Sequence, residues 1–152
     1  MEGDSIEVIA HCLLNPRTRV KGLGPLEDFK PEGDVIQLPC PEAIYMGLDR
    51  WAVTRNQLDV PEFRRFCRSL IAHYADLIEL LSKKGCRIKL VGVKGSPSCG
   101  IKTTSSGYPG GKVRDSPHKH VPGPGVFMEE LLKELNERGV WFECSEADKA
   151  DR

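Results

Sequence analysis

The sequence predicts an α/β protein, a single-domain, Rossmann-like three-layer fold with a mostly parallel sheet of about four strands. Three observations lead there. Short β-branched segments alternate with amphipathic helical ones along the chain. The length of 152 residues suits one domain with its own core. A mixture of 39% hydrophobic and 29% charged residues is that of a globular chain rather than a disordered one.

Taken in order, Ser5–Ala10 reads as the first strand, with β-branched residues in partial alternation. Asp34–Leu38 reads as the second, bounded by Gly33 and Pro39. The stretch from Asp59 to Lys84 is the clearest helix. Phe63, Phe66, Cys67, Leu70, Ile71, Tyr74, Leu77, Ile78 and Leu81 form one apolar stripe along it. Each of these side chains contributes roughly 1.5–3 kcal/mol when fully buried. Asp59 is placed to cap this helix, Glu62 completes a capping box, and Gly85 supplies a left-handed exit. Arg87–Val93 reads as the third strand. A second helix runs from about Gly125 to Arg138 on Phe127, Leu131 and Leu135, with Glu129 and Glu130 near its positive end. Gly139 closes it and Val140–Cys144 reads as the fourth strand. The polar tail, residues 145–152, reads as frayed. Residues 107–125, rich in Gly and Pro, read as a loop or lid.

Lys+Arg and Asp+Glu both count 22. That balance argues against a dedicated nucleic-acid grip, which needs surplus positive charge to displace counterions. No apolar run approaches the ~20 residues of a membrane helix, and Met1-Glu2-Gly3-Asp4 lacks the basic flank of a signal peptide. A soluble, cytoplasmic protein is expected. Its 6 cysteines then point to reduced thiols with metal, cluster or catalytic roles rather than to a disulfide framework. The absence of any Cys-x-x-Cys removes the usual zinc knuckle and the thioredoxin-type dithiol.

In parallel α/β sheets, ligands sit beyond the carboxyl ends of the strands. Cys12 follows the first strand, Cys40 the second and Cys99 the third, so all three belong to that edge. Cys67 on the helix stripe and Cys86 at the opposite end of the third strand read as small buried hydrophobes; Cys144 ends the fourth strand and stays open. Any one cysteine is more often packing than chemistry. Pro39-Cys40-Pro41-Glu42 and Lys94-Gly95-Ser96-Pro97-Ser98-Cys99-Gly100 frame their thiols with residues that fix the backbone and leave room beside the sulfur. Glu42 and Ser96 fall within reach of the same cavity, a kit for a metal centre with an open position.

Cys12-Leu13-Leu14 with Arg19 and Gly22 downstream, Cys40-Pro41-Glu42 and Ser96-Pro97-Ser98-Cys99-Gly100, in this order and separation, resemble the thiouracil desulfurase family from about residue 6 to residue 139. The chain looks like a divergent branch: it carries His11, Asn15 and Val20-Lys21 where many members have a small residue, glycine and Tyr-Asp, and Lys102–Ser106 also departs from the family. The resemblance implies an oxygen-sensitive [4Fe-4S] cluster held by Cys12, Cys40 and Cys99, with one iron free of protein ligands. It implies Glu42 and Ser96 as catalytic acid and hydroxyl, and a non-redox release of sulfide from a small thiolated base or nucleoside. His11, Ser98 and Lys102 are candidate substrate-binding residues.

Other readings of the same residues remain open. One is a zinc protein using the three cysteines with His11 or Cys144 as fourth ligand. Another is a cluster-free enzyme or sensor with Cys99 as nucleophile. A third is a sulfide or cluster carrier without turnover. Lys112, Arg114, His118, Lys119 and His120 make the 107–125 loop either a cover that meets an anionic group or a solvated surface, and His118 and His120 are alternatively metal ligands. His73 reads as a surface residue of the long helix.

Overall fold

The computed structural model describes residues 4–20, 29–108 and 119–148. Strand β1 (Ser5–Ile9) leads into two single 3₁₀ turns, His11–Leu13 and Pro16–Thr18, and strand β2 (Asp34–Gln37) is followed by a short helix α1 (Pro41–Met46). Helices α2 (Arg55–Leu58) and α3 (Pro61–Lys83) precede strand β3 (Arg87–Val93). Strands β4 (Thr103–Ser106) and β5 (Lys119–Pro122), helix α4 (Val126–Glu137) and strand β6 (Phe142–Ala147) complete the order. Four strands form one parallel sheet in the order β2-β1-β3-β6. The fold is therefore α/β and Rossmann-like, as the alternating pattern predicts.

The chain leaves β1 toward β2 and then crosses back to β3 on the other side. The switch point of the sheet lies between β1 and β3, where neighbouring loops part and leave a crevice. Ile6, Val8 and Ile9 of β1 and Ile88, Leu90, Val91 and Val93 of β3 are buried, the near-continuous apolar pattern of central strands. Helix α3 applies Phe63, Cys67, Ile71, Ala75 and Ile78 to this core and packs against α4, whose Phe127, Leu131 and Leu135 are fully buried. Leu77, placed in the stripe by its spacing, is 45% exposed; it stands at the margin of a stripe narrower than the periodicity suggests.

Helix α3 begins later than the sequence predicts, and without its aspartate cap. Val60 is its extended N-cap, with no side-chain hydrogen bond, because a residue before proline is excluded from helical geometry and Pro61 suits the first helical position. Asp59 instead accepts from Arg64 Nε at 2.6 Å and Arg55 Nη1 at 3.2 Å. A capping box does exist, on α2, between Thr54 and Gln57.

Two further expectations are corrected. The tail is not frayed from Ser145, since β6 continues to Ala147 by pairing with Val91, Gly92 and Val93; a central partner strand supplies the hydrogen bonds that polar Ser145 and Glu146 do not advertise. Residues 107–125 are not a loop throughout. Lys119–Pro122 pairs antiparallel with Thr103–Ser106, a hairpin whose Ser/Thr-rich composition carries no alternation of apolar residues. Lys21 and Gly22, residues 109–118 with Lys112, Arg114 and His118, and residues 149–152 lie outside the described residues. His73 is exposed, as expected.

Candidate active site

Each thiol at the carboxyl edge is held by a different local device. Ala10 N donates to Val91 O at 3.0 Å, tying the end of β1 to β3 before the chain turns into the 3₁₀ helix that carries Cys12. Leu38 N donates to Ile9 O at 2.9 Å, extending β2's pairing up to the Pro39-Cys40 turn. Cys40 is the N-cap of α1, where its Sγ accepts from Ala43 N at 3.4 Å, and Pro41 occupies the first helical position. Glu42 follows in the first turn, where the helix dipole favours a carboxylate.

The third loop is clamped from two sides. Val93 N donates to Cys99 O at 2.9 Å and Gly100 N to Ser96 O at 3.1 Å, closing the loop on itself. Helix α4 then rests its first turn on that loop: Gly125 N donates to Gly100 O, Val126 N to Pro97 O and Met128 N to Ser98 O, at 2.9, 2.9 and 3.0 Å. The orphan amides of a helix start thus find carbonyl partners. Gly125 is required by this approach, because a Cβ there would lie 2.5 Å from Ser98 C and 2.7 Å from Pro97 O.

Cys12, Cys40 and Cys99 line one cavity of about 340 Å³, together with Glu42, Ser96 and Ser98. The volume falls in the range of small-molecule sites. Glu42 is 5% exposed and Ser98 1%. Ser98 Oγ donates to Glu42 Oε2 at 2.5 Å and lies 3.6 Å from Cys99 Sγ. Ser96 serves its own loop: its Oγ accepts from Cys99 N at 3.0 Å and Ser98 N at 3.4 Å.

Burial and mutual repulsion hold the ionisable groups of the cavity toward their neutral forms. Burial pushes the Cys12 thiol up to about 11, and the Arg19 charge opposes this while Cys40 adds to it. Burial raises Cys40, against the Ala43 amide that lowers it. Cys99 is raised well above the ordinary thiol value by burial, and then by the charges of Cys40 and Cys12. Burial also raises Glu42, opposed by the Ser98 hydrogen bond and the Arg50 charge. Ionised together in this buried cavity the three thiols would repel one another, and a thiophilic, positively charged group would relieve that repulsion. The donor set is soft and supplied from three loops, which suits a polynuclear iron–sulfur group. Among the described residues, no three His, Cys, Asp or Glu side chains are arranged to hold a metal ion.

Other candidates fall elsewhere. The His11 ring pairs with Leu38 O through Nδ1 at 3.0 Å and with Asn15 Nδ2 through Nε2 at 3.2 Å, and it is not among the cavity-lining residues. Lys102 is likewise outside the wall; its backbone amide, with those of Ile101 and Thr103, donates to Glu146 Oε2. Cys144 sits opposite Leu90 in the sheet, away from the cavity wall. Cys67 is fully buried under α3 and Cys86 half-buried before β3.

The structure brings in one residue of the 107–125 stretch singled out above and one that no motif marks. His120 reaches the cavity from β5, its ring over Gly95. Arg50 is buried in the wall, with Nη1 donating to Gly47 O at 3.0 Å and Nη2 to Thr18 O at 2.6 Å. It follows α1 and its capping Gly47 in a segment without apolar periodicity, and the turn signal there says nothing of where the arginine points, so only folding reveals its place.

The comparisons with known proteins place the chain in a family. The chain is 27% identical over 161 aligned positions to an uncharacterized protein of Methanocaldococcus jannaschii, an alignment covering 100% of this chain and 91% of that protein. No solved structure matches the chain significantly. The model of a family described as "Putative 2-thiouracil desulfurase" matches residues 15–114, a span that contains Cys40, Glu42, Ser96, Ser98 and Cys99 and begins just after Cys12. By that match the chain belongs to the 2-thiouracil desulfurase family.

Proposed function

We propose that this protein is a non-redox desulfurase that releases sulfide from a thiocarbonyl compound, a thiouracil or a related thiolated base or nucleoside. In this reading Cys12, Cys40 and Cys99 hold a [4Fe-4S] cluster with one iron free of protein ligands. The observation that carries it is the meeting of three thiols and the buried Glu42 in one cavity at the sheet's carboxyl edge, in a chain of this family. When bound, the cluster would supply a soft Lewis acid for the thione sulfur, leaving the C=S carbon open to water.

The chain's own residues handle protons and position. Glu42 takes a proton from the attacking water or returns one to a ring nitrogen, with its carboxyl fixed by the Ser98 hydroxyl on Oε2. Ser96 holds the backbone amides of Ser98 and Cys99 and so sets where the third thiol and the Ser98 hydroxyl stand. The reaction balances as C=S plus water giving C=O plus hydrogen sulfide, with no electrons exchanged.

The test is purification under argon, with iron and acid-labile sulfide analysis, followed by sulfide release from a panel of thiolated pyrimidines. A brown protein with iron and sulfide is expected, and Glu42→Gln should keep the iron and lose the turnover. Undiminished turnover in Glu42→Gln would remove Glu42 from the chemistry, and a wild type that holds iron but releases no sulfide would make the chain a carrier. An iron-free preparation that had never met air would overturn the cluster.

A further inference from the structure

Two buried polar atoms of cavity-lining residues have no hydrogen-bond partner among the described residues, Glu42 Oε1 and Arg50 Nε. They belong to one ion pair, 3.7 Å apart, in which the side chains are 6% exposed for Arg50 and 7% for Glu42. At that separation the two atoms do not satisfy each other by a hydrogen bond. Every other polar atom of the pair is committed. Arg50 Nη1 and Nη2 donate to Gly47 O and Thr18 O, Nη2 also lies 3.9 Å from Cys40 Sγ, and Glu42 Oε2 accepts from Ser98. Buried groups left open in this way are rare and costly.

The open atoms are complementary, one donor beside one acceptor, and both residues line the cavity. We propose that Arg50 Nε and Glu42 Oε1 read the carbonyl and adjoining N–H of a cyclic thioimide, C(=S)–NH–C(=O), leaving its thiocarbonyl to the three cysteines. This rests on the desulfurase reading and adds to it a specificity-determining residue, Arg50, and a required substrate edge. The fixed Nη contacts hold the guanidinium plane, so its Nε–H points in one direction; a lysine ammonium offers no such directed planar donor. A site with buried, directed polar groups rejects a ligand that lacks their partners far more strongly than an apolar site rejects a change of size.

The experiment is calorimetric titration of the anaerobically isolated protein with oxo analogues that cannot be turned over. Uracil carries the whole edge, 3,4-dihydropyrimidin-2(1H)-one keeps the N–H but lacks the second carbonyl, and 3-methyluracil lacks the imide N–H. Expected for the wild type is a loss of at least about tenfold for each of the latter two relative to uracil. In Arg50→Lys, uracil and 3,4-dihydropyrimidin-2(1H)-one should bind alike while 3-methyluracil stays weak. Equal affinity of the wild type for the three ligands, or the same carbonyl dependence in Arg50→Lys, overturns the inference. Should Arg50→Lys fail to fold, the wild-type series decides alone. Sulfide release from 2-thiouracil, measured on the same preparation, separates the two levels: absent release overturns the desulfurase reading and this inference with it, whereas normal release without edge dependence overturns only the inference.

Discussion

The Ser98 hydroxyl donates to Glu42 at 2.5 Å, joining the loop after β3 to the first turn of α1 across 56 positions of sequence. This one contact couples the loop that carries Cys99 to the helix that Cys40 caps, and it is the strongest local influence holding the buried carboxyl's pKa down against desolvation. Ser98 therefore acts on the buried carboxyl, and Ser96 on the loop.

Ser98→Ala and Ser96→Ala should fail differently. Removing a donor to a buried carboxylate costs about 1.5–3 kcal/mol, so Ser98→Ala should reduce sulfide release at least about tenfold with iron content intact, while raising the Glu42 pKa further. Ser96→Ala frees two backbone amides beside Cys99 and should lower iron retention first. Paired iron and sulfide assays check this; equal iron loss in both variants would contradict it.

Gly125→Ala should injure the site from the helix side. Its methyl would meet main-chain atoms of Pro97 and Ser98 at 2.5–2.7 Å, which cannot move without shifting Cys99. A cost of about 1–3 kcal/mol is expected, visible as a melting temperature lower by several degrees and a reduced iron-to-protein ratio.

Cysteine replacements should fall into two classes. Cys67→Ala removes a sulfur buried under α3 and should cost about 1 kcal/mol of stability, with iron content unchanged. Ser at position 12, 40 or 99 should abolish the iron. Full iron in Cys40→Ser would end the three-thiol assignment.

The Asp59 cluster predicts an acid-dependent stability. Hydrogen bonding to Arg64 holds the Asp59 carboxyl below its ordinary value, against partial desolvation, with the charges of Arg64 and Arg55 adding to the effect. A depressed carboxylate stabilises the fold above the unfolded-state pKa of about 3.9, and that contribution is lost as pH falls through the lower folded value. Asp59→Asn should thus be less stable at neutral pH, and the difference should shrink toward zero in strong acid. Because Asp59 is 39% exposed, the effect should be modest and should weaken with salt. Denaturant midpoints measured from pH 7 to pH 2 would show it.

Much of the fold was legible because long elements repeat their signal. Strand β3 matches its expected limits, and α4 carries Phe127, Leu131 and Leu135 inward at the spacing that announces them. The signal failed where structure depends on a partner. Ser145–Ala147 and the Thr103–Ser106 hairpin strand have no apolar alternation and exist through the ladders they join. Asp59 looked like a cap because spacing says nothing of the arginines that reach it from other turns.

The site divides in the same way. The order of strand, cysteine-bearing turn and helix is a local matter, written in β-branched runs, prolines and glycines, and by itself it determined the α/β class and the edge at which Cys12, Cys40 and Cys99 stand. Which hydroxyl meets Glu42, and that a buried Arg50 stands beside it, were decided only by the tertiary structure. Those are contacts between distant segments, set by the crossing of β2 over to β3 and by the seating of α4 on the Cys99 loop, and no local propensity encodes a distance between side chains that meet only when the sheet is assembled.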